Sequence, residues 1–281
     1  MNQHTQIRRG TIPRLAMMND LSGFGRCSTT VSLPVLSALG IQVCPIPTAI
    51  LSNHLGFPSC YMDDYTPHIR EYLAAWEKLS LHFDGFYCGF FGNTEQIAIA
   101  EEFLARFQPS FFLLDPVMGD HGRLYSSVSE KHCEGLKKLA AKADVLTPNL
   151  TEAFLLSGMP YCEAPSEELL TLLLQKLQVL CPSGKIVITG ITGEKGITNL
   201  IFENGLATPC TLPYAGASRP GTGDIFASVL AGELMKQKAL PLSVAKAADF
   251  VARCIENSEL CATPIQEGVC LENCLPLLLE S

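Results

Sequence analysis

The sequence predicts an α/β fold, a mostly parallel sheet covered by helices on both faces. Short apolar runs alternate with helical patterns along most of the chain. Those runs are apolar throughout, as strands buried on both faces must be. No linker-like stretch or internal repeat divides them, so the chain reads as one domain over residues 1–281, with a loose polar extension at 1–12.

Residues 15–18 form the first strand, followed by a polar turn and a helix near 28–39. Residues 41–47 are the second strand, and a loop at 52–58 leads to a helix near 67–79. A strand at 85–88 precedes a helix at 94–107, and the buried run 111–114 ends at Asp115-Pro116. A helix near 129–141 comes before a strand at 144–146, and shorter helices follow near 151–157 and 166–179. Strands at 185–188, 196–202 and 206–212 lead to helices starting at Thr222 and Leu242.

Composition narrows the class of protein. Hydrophobic residues make up 47% and charged residues 17%, enough for a core and unlike a disordered chain. A net charge of −8 argues against general nucleic-acid binding. No apolar stretch is long enough to span a bilayer, and no apolar signal core follows Arg8 and Arg9, so a cytosolic protein is expected. The 12 cysteines are scattered, with no Cys-x-x-Cys and no histidine at zinc spacing. They read as reduced, packed thiols. Cys270 and Cys274 are expected at i,i+4 spacing on a terminal helix.

In open α/β sheets ligands bind beyond the carboxyl ends of the strands. Asn19-Asp20, Ser52-Asn53-His54, Asp115, Thr147-Pro148-Asn149 and Thr189-Gly190 all fall at such ends. The most informative segment is Gly221-Thr222-Gly223-Asp224, directly before a long helical pattern. Its glycines allow a tight turn at a helix N-terminus, where unpaired N–H groups and the dipole favour an anion. A carboxylate beside such an anion hole suits a general base that takes a hydroxyl proton. Taken alone, the turn also fits an ordinary helix start.

Other motifs carry less. Gly23-Phe24-Gly25-Arg26-Cys27-Ser28 falls short of a dinucleotide fingerprint, having Ser28 for the third glycine and no acidic residue about 20 positions on. It reads as a turn shaping a substrate pocket. Asp115 and Glu152 suit Mg²⁺ bound with nucleotide phosphates, although an Asp-Pro turn and a helix-capping pair with Asn149 fit them too. His54 reads as a hydrogen-bonded loop histidine.

Asp115-Pro-Val-Met-Gly-Asp120, Thr147-Pro-Asn-Leu-Thr-Glu152, Ser52-Asn-His54 and Gly221-Thr-Gly-Asp224, in this order and spacing, resemble the ribokinase-like superfamily. Within it the chain most resembles the vitamin B6 kinases, over residues 15–257. The resemblance implies a three-layer α/β/α kinase, cytoplasmic and homodimeric, using ATP and Mg²⁺ to phosphorylate the 5′-hydroxymethyl group of pyridoxal, pyridoxine or pyridoxamine. Asp224 would be the base, and Gly221, Thr222 and Gly223 the anion hole. Asp115, Asn149, Glu152, Thr189 and Gly190 would serve ATP, with Asp115 and Glu152 serving Mg²⁺. Asn19, Asp20, Ser52, Asn53, His54 and Phe90 would line the vitamin pocket.

The chain departs from the B6 pattern in three places. Asn19 stands where Ser is common, Leu55 where Thr is common, and Phe90 where an aromatic hydroxyl is usual. The loop Asn19-Asp20-Leu21-Ser22-Gly23 also resembles that of hydroxymethylpyrimidine kinases, the enzyme alternative. Those kinases commonly carry Cys in place of Asp224. A non-catalytic B6 carrier is the alternative of another class.

Overall fold

The computed structural model of the chain describes residues 12–182 and 184–279. Its first half runs β1 (Arg14–Ser22), α1 (Ser28–Ala38), β2 (Gln42–Leu51), β3 (Met62–Asp64), α2 (Thr66–Lys78), β4 (Gly85–Cys88), α3 (Thr94–Phe107) and β5 (Phe111–Leu114). A short hairpin, β6 (Gly119–Asp120) with β7 (Arg123–Leu124), precedes α4 (Glu130–Ala140), β8 (Val145–Leu146), α5 (Leu150–Ser157) and α6 (Glu167–Leu180). The chain continues through β9 (Lys185–Gly193), β10 (Gly196–Glu203), β11 (Leu206–Leu212), α7 (Thr222–Met235) and α8 (Leu240–Leu260).

Nine strands form one sheet in the order β11-β10-β9-β8-β5-β4-β1-β2-β3. The six strands from β9 to β2 are parallel to one another. Only β3, β10 and β11 run antiparallel to their neighbours. The expected α/β class and mostly parallel sheet are therefore what the chain forms.

Strand period 2 divides the core into two layers. Ala16, Met18, Phe86, Cys88, Phe112, Leu114, Ile186 and Ile188 face the layer covered by α2 to α6. Leu15, Met17, Tyr87, Leu113 and Val187 alternate with them and face α1, α7 and α8. The first layer is rich in aromatic rings: Phe86 stacks on Phe103 at 4.2 Å, and Phe103 on Phe107 at 4.7 Å. Such pairs add about 0.5–1.5 kcal/mol each beyond the area they bury.

Several boundaries differ from expectation. β2 continues to Leu51 and β9 to Gly193, so both strands run further than their apolar stretches indicate. β2 gains pairing from β1 and β3, and β9 is extended by its hairpin with β10, where Gly193 pairs with Gly196. The strand β3 and the β6–β7 hairpin have no apolar signature and form through backbone pairing, helped by side-chain hydrogen bonds to Asp64 and to the Gly119 carbonyl. Cys270 and Cys274 do not share an α-helix; short 3₁₀ turns at Ile265–Glu267 and Leu275–Leu278 flank them. All 12 cysteines are unpaired. The N-terminal extension expected over 1–12 lies, up to residue 11, outside the described residues.

Candidate active site

The parallel strands all present their carboxyl ends at one edge of the sheet, so the polar residues that follow them share a rim. At this edge α7 begins with Gly221 as its N-cap, at φ +86°, and no side chain caps the helix. A Cβ on Gly221 would lie 2.1 Å from the Arg26 carbonyl oxygen. The glycine is needed both for its left-handed backbone and for the approach of α7 to the loop after β1. Gly223 differs: a Cβ there would meet nothing within 4 Å. The first turn of α7 therefore opens onto empty space with its N–H groups uncapped, an arrangement that suits an anion.

Asp224 sits in that turn. Its Oδ2 accepts the Ser28 N–H at 2.8 Å and its Oδ1 accepts Asn19 Nδ2 at 3.2 Å. Ser28 has φ +53°, uncommon for a residue with a side chain. Ser28 occupies the position where a dinucleotide fingerprint has its third glycine, and it takes up a glycine-like backbone. Burial is the main influence on Asp224 and the Asp20 charge adds to it, pushing its carboxyl up from 3.8 to about 6. Asp20 is itself buried, accepts the Ser22 hydroxyl at 2.9 Å, and is raised by burial.

Asp115 follows β5 and is buried. Burial, with repulsion from Asp224, pushes its carboxyl up to about 8, and the Thr147 hydroxyl opposes this. Glu152 is also buried, and burial beside Asp115 raises it strongly. Its two oxygens are engaged: Oε1 accepts Met118 N–H at 3.0 Å and Oε2 accepts Asn149 N–H at 2.8 Å. Asn149 Oδ1 in turn accepts Glu152 N–H at 2.9 Å, completing a capping box on α5, and its Nδ2 donates to the Gly119 carbonyl at 2.8 Å. Glu152 and Asn149 thus tie the loop after β5 to the start of α5.

Thr189 lies beside Pro148, whose carbonyl accepts its N–H at 2.9 Å. Gly190 has φ +71° and open space where a Cβ would stand. The Ser52-Asn53-His54 cluster is bound into its own loop. The Ser52 hydroxyl donates to Asn53 Oδ1 at 2.7 Å, and Asn53 Nδ2 donates to the Ser59 carbonyl at 2.8 Å. His54 Nδ1 accepts the Gly56 N–H at 3.1 Å, so Nε2 carries the ring proton and donates it to the Gln266 carbonyl at 2.7 Å. That matches the reading of His54 as a hydrogen-bonded loop histidine. Phe90 is buried after β4, with its N–H on Asn19 Oδ1 at 2.9 Å.

The Gly23 to Arg26 turn lines a cavity of about 360 Å³ shared with α1 and the C-terminal segment. Arg26 crosses from this turn to Glu272 at 2.7 Å. Among the described residues no three His, Cys, Asp or Glu side chains form a metal cluster. The Ser28 amide was not foreseen, because a backbone donor leaves no mark on residue identity.

The sheet order and the helices on both faces are those of the ribokinase-like kinases. The chain belongs to the phosphomethylpyrimidine kinase family, whose sequence profile matches residues 69–267. A candidate phosphomethylpyrimidine kinase from Bacteroides thetaiotaomicron VPI-5482 is 36% identical, with a TM-score of 0.91 over 97% of this chain and 96% of that one. An orthorhombic crystal form of that protein, likewise 36% identical, contains pyridoxal and covers 95% of this chain and 96% of that one, with a TM-score of 0.89. The pyridoxal kinase of Lactobacillus plantarum is 29% identical, with a TM-score of 0.91 over 96% of this chain and 98% of that one. By sequence, the pyridoxal kinase PdxY of Pasteurella multocida is 30% identical over 223 residues, 73% of this chain and 74% of its own length.

Proposed function

We propose that this protein transfers the γ-phosphoryl group of ATP to the 5′-hydroxymethyl group of pyridoxal, pyridoxine or pyridoxamine. The carrying observation is the Asp224 carboxylate at the uncapped start of α7. Pyridoxal in the crystal of the Bacteroides relative supports the vitamer as acceptor. So do the relatives described as pyridoxal kinases.

In this reading the hydroxyl proton passes to Asp224 as the substrate oxygen bonds to the γ-phosphorus. The bond to the bridging oxygen of ADP breaks, and ADP leaves with that electron pair. The N–H groups of Thr222 and Gly223 offset charge on the transferring phosphoryl oxygens. A carboxyl near 6 is largely ionised at neutral pH yet basic enough to accept the proton. Thr189 and Gly190 border the phosphate side, where Gly190 leaves room. Asn53, His54, Asp20 and Phe90 belong to the acceptor side.

Mg²⁺ is typically held by one or two carboxylates together with substrate phosphates. Asp115 fits that role, being buried beside Asp224 and the Thr147 hydroxyl. Glu152 stands behind it with both oxygens on backbone N–H groups, so it fits a supporting position better than a direct ligand. When bound, Mg²⁺ supplies charge neutralisation of the phosphates. The continuous sheet supports one kinase domain. A cytosolic homodimer is part of the same proposal; no described helix is long and apolar enough to cross a membrane.

The family description favours a second acceptor, hydroxymethylpyrimidine or its phosphate. Parallel turnover of the three B6 vitamers and hydroxymethylpyrimidine, with and without ATP, tests the reading. ATP-dependent phosphorylation of a vitamer at higher kcat/KM is the expected result. Turnover of hydroxymethylpyrimidine alone would transfer the reading to that acceptor, and vitamer binding without product would make the protein a carrier.

A further inference from the structure

We infer that Asn19 is a positioning residue for Asp224, holding its carboxylate in register with the open turn of α7, and does not read the vitamer ring. The inference rests on Asp224 being the base. Asn19 lies where the pairing of β1 with β2 shifts register between Asn19 and Leu21, an irregularity of the kind that re-aims side chains beside active sites. The residue is 1% exposed, which leaves almost no surface for a ligand.

The amide has three partners. Oδ1 accepts two backbone N–H groups, from Asp20 at 3.0 Å and Phe90 at 2.9 Å. Nδ2 donates to Asp224 Oδ1 at 3.2 Å. The network fixes which end is which: reversing the amide would set NH₂ against two N–H donors and an oxygen against a carboxylate. Gly89 leaves the space, because a Cβ there would lie 2.8 Å from the Asn19 amide. Asp224 Oδ2 is held by the Ser28 N–H, so both carboxylate oxygens have a donor from the β1–α1 region. Asn19 thus couples β1, the loop after β4 and the start of α7 through one rigid group. A serine, common at this place in B6 kinases, is too short to make all three bonds.

N19D is the sharpest variant. It keeps the shape and the acceptor for Asp20 and Phe90 N–H, and exchanges the donor facing Asp224 for a carboxyl oxygen, which removes that hydrogen bond and adds like-charge repulsion at the base. The expected result is a kcat lower by about ten- to hundredfold, the scale of a misplaced catalytic group, with vitamer KM and the ratios among the three vitamers unchanged. A wild-type kcat, or a defect confined to KM and vitamer ratios, would overturn the inference.

A second measurement needs no Asn19 variant. The Asn19 side-chain amide proton resonances of the full chain should move in D224N and stay in place when pyridoxal is added without ATP. Movement with pyridoxal and none in D224N would overturn the inference even if N19D failed to fold. The underlying reading fails separately: a D224N enzyme with normal turnover removes the base assignment itself. An inactive D224N beside a fully active N19D removes only the positioning role. If hydroxymethylpyrimidine proves to be the acceptor, the same kcat and KM comparison is made with it.

Discussion

Two helices start on the same rim with a carboxylate in the first turn, and they use it in opposite ways. α5 is closed by its own residues: Asn149 caps the helix, and Glu152 folds back onto the Asn149 N–H and reaches Met118 N–H. α7 is left open, with Gly221 as its cap and no side chain over its first N–H groups. Asp224 does not turn back to its own cap but reaches across to Ser28 and Asn19. The difference teaches that a carboxylate in a first turn is not by itself a functional sign. What matters is whether it consumes the donors of its own helix start or leaves them for a ligand.

The comparison breaks most sharply at Asp224. D224N should lower turnover by about a hundredfold or more while vitamer binding persists, the range for loss of a general base. Single-turnover kinetics with calorimetric binding checks this, and normal turnover would make the two helix starts equivalent. The same variant carries a pH-dependent effect on stability. Burial raises this carboxyl from 3.8 to about 6, so the folded state holds its proton more tightly than the unfolded chain does. Ionisation therefore costs stability, and the cost grows as pH rises through that window. The melting temperature of D224N relative to wild type should rise between about pH 4 and pH 8, on top of a pH-independent loss from the one donor, Ser28 N–H or Asn19 Nδ2, that then faces an amide NH₂. A relative melting temperature that falls over this range would contradict the sign.

The two glycines of the open turn sharpen the contrast next. G221A should cost about 3 kcal/mol, because it combines positive φ with a clash against the Arg26 carbonyl. G223A should change stability by about 0.5 kcal/mol or less, since its Cβ meets open space, yet raise KM for ATP. Denaturant titration beside ATP kinetics separates them. An unchanged ATP KM in G223A would mean that the phosphate sits elsewhere.

At the closed start, E152Q should cost about 1–3 kcal/mol, because one buried N–H would then face an amide NH₂. A shifted Mg²⁺ requirement without loss of stability would instead make Glu152 a metal group. The smaller effect at this closed start is expected for N149A, about 1 kcal/mol from a lost cap. Thermal melting checks it; a larger loss of turnover than of stability would give Asn149 a direct role at the phosphates.

Much of this protein was determined by its sequence alone. Apolar runs such as 111–114 and 185–188 mark strands buried on both faces, because only a covered parallel sheet can bury them. The glycine turn before α7 and the Asn149–Glu152 cap are local chemistry, legible within a few residues. The tertiary structure decided the rest, and for one reason: the partners are distant. Asn19 and Asp224 are 205 positions apart and meet because α7 packs against α1, the helix that follows β1. His54 reaches Gln266 across 212 positions. Ser28 takes a left-handed backbone that its residue type disfavours, and β3 and the β6–β7 hairpin pair without an apolar signal. A sequence states which groups can donate or accept. Which lone pairs remain free for a substrate depends on which groups the fold brings together.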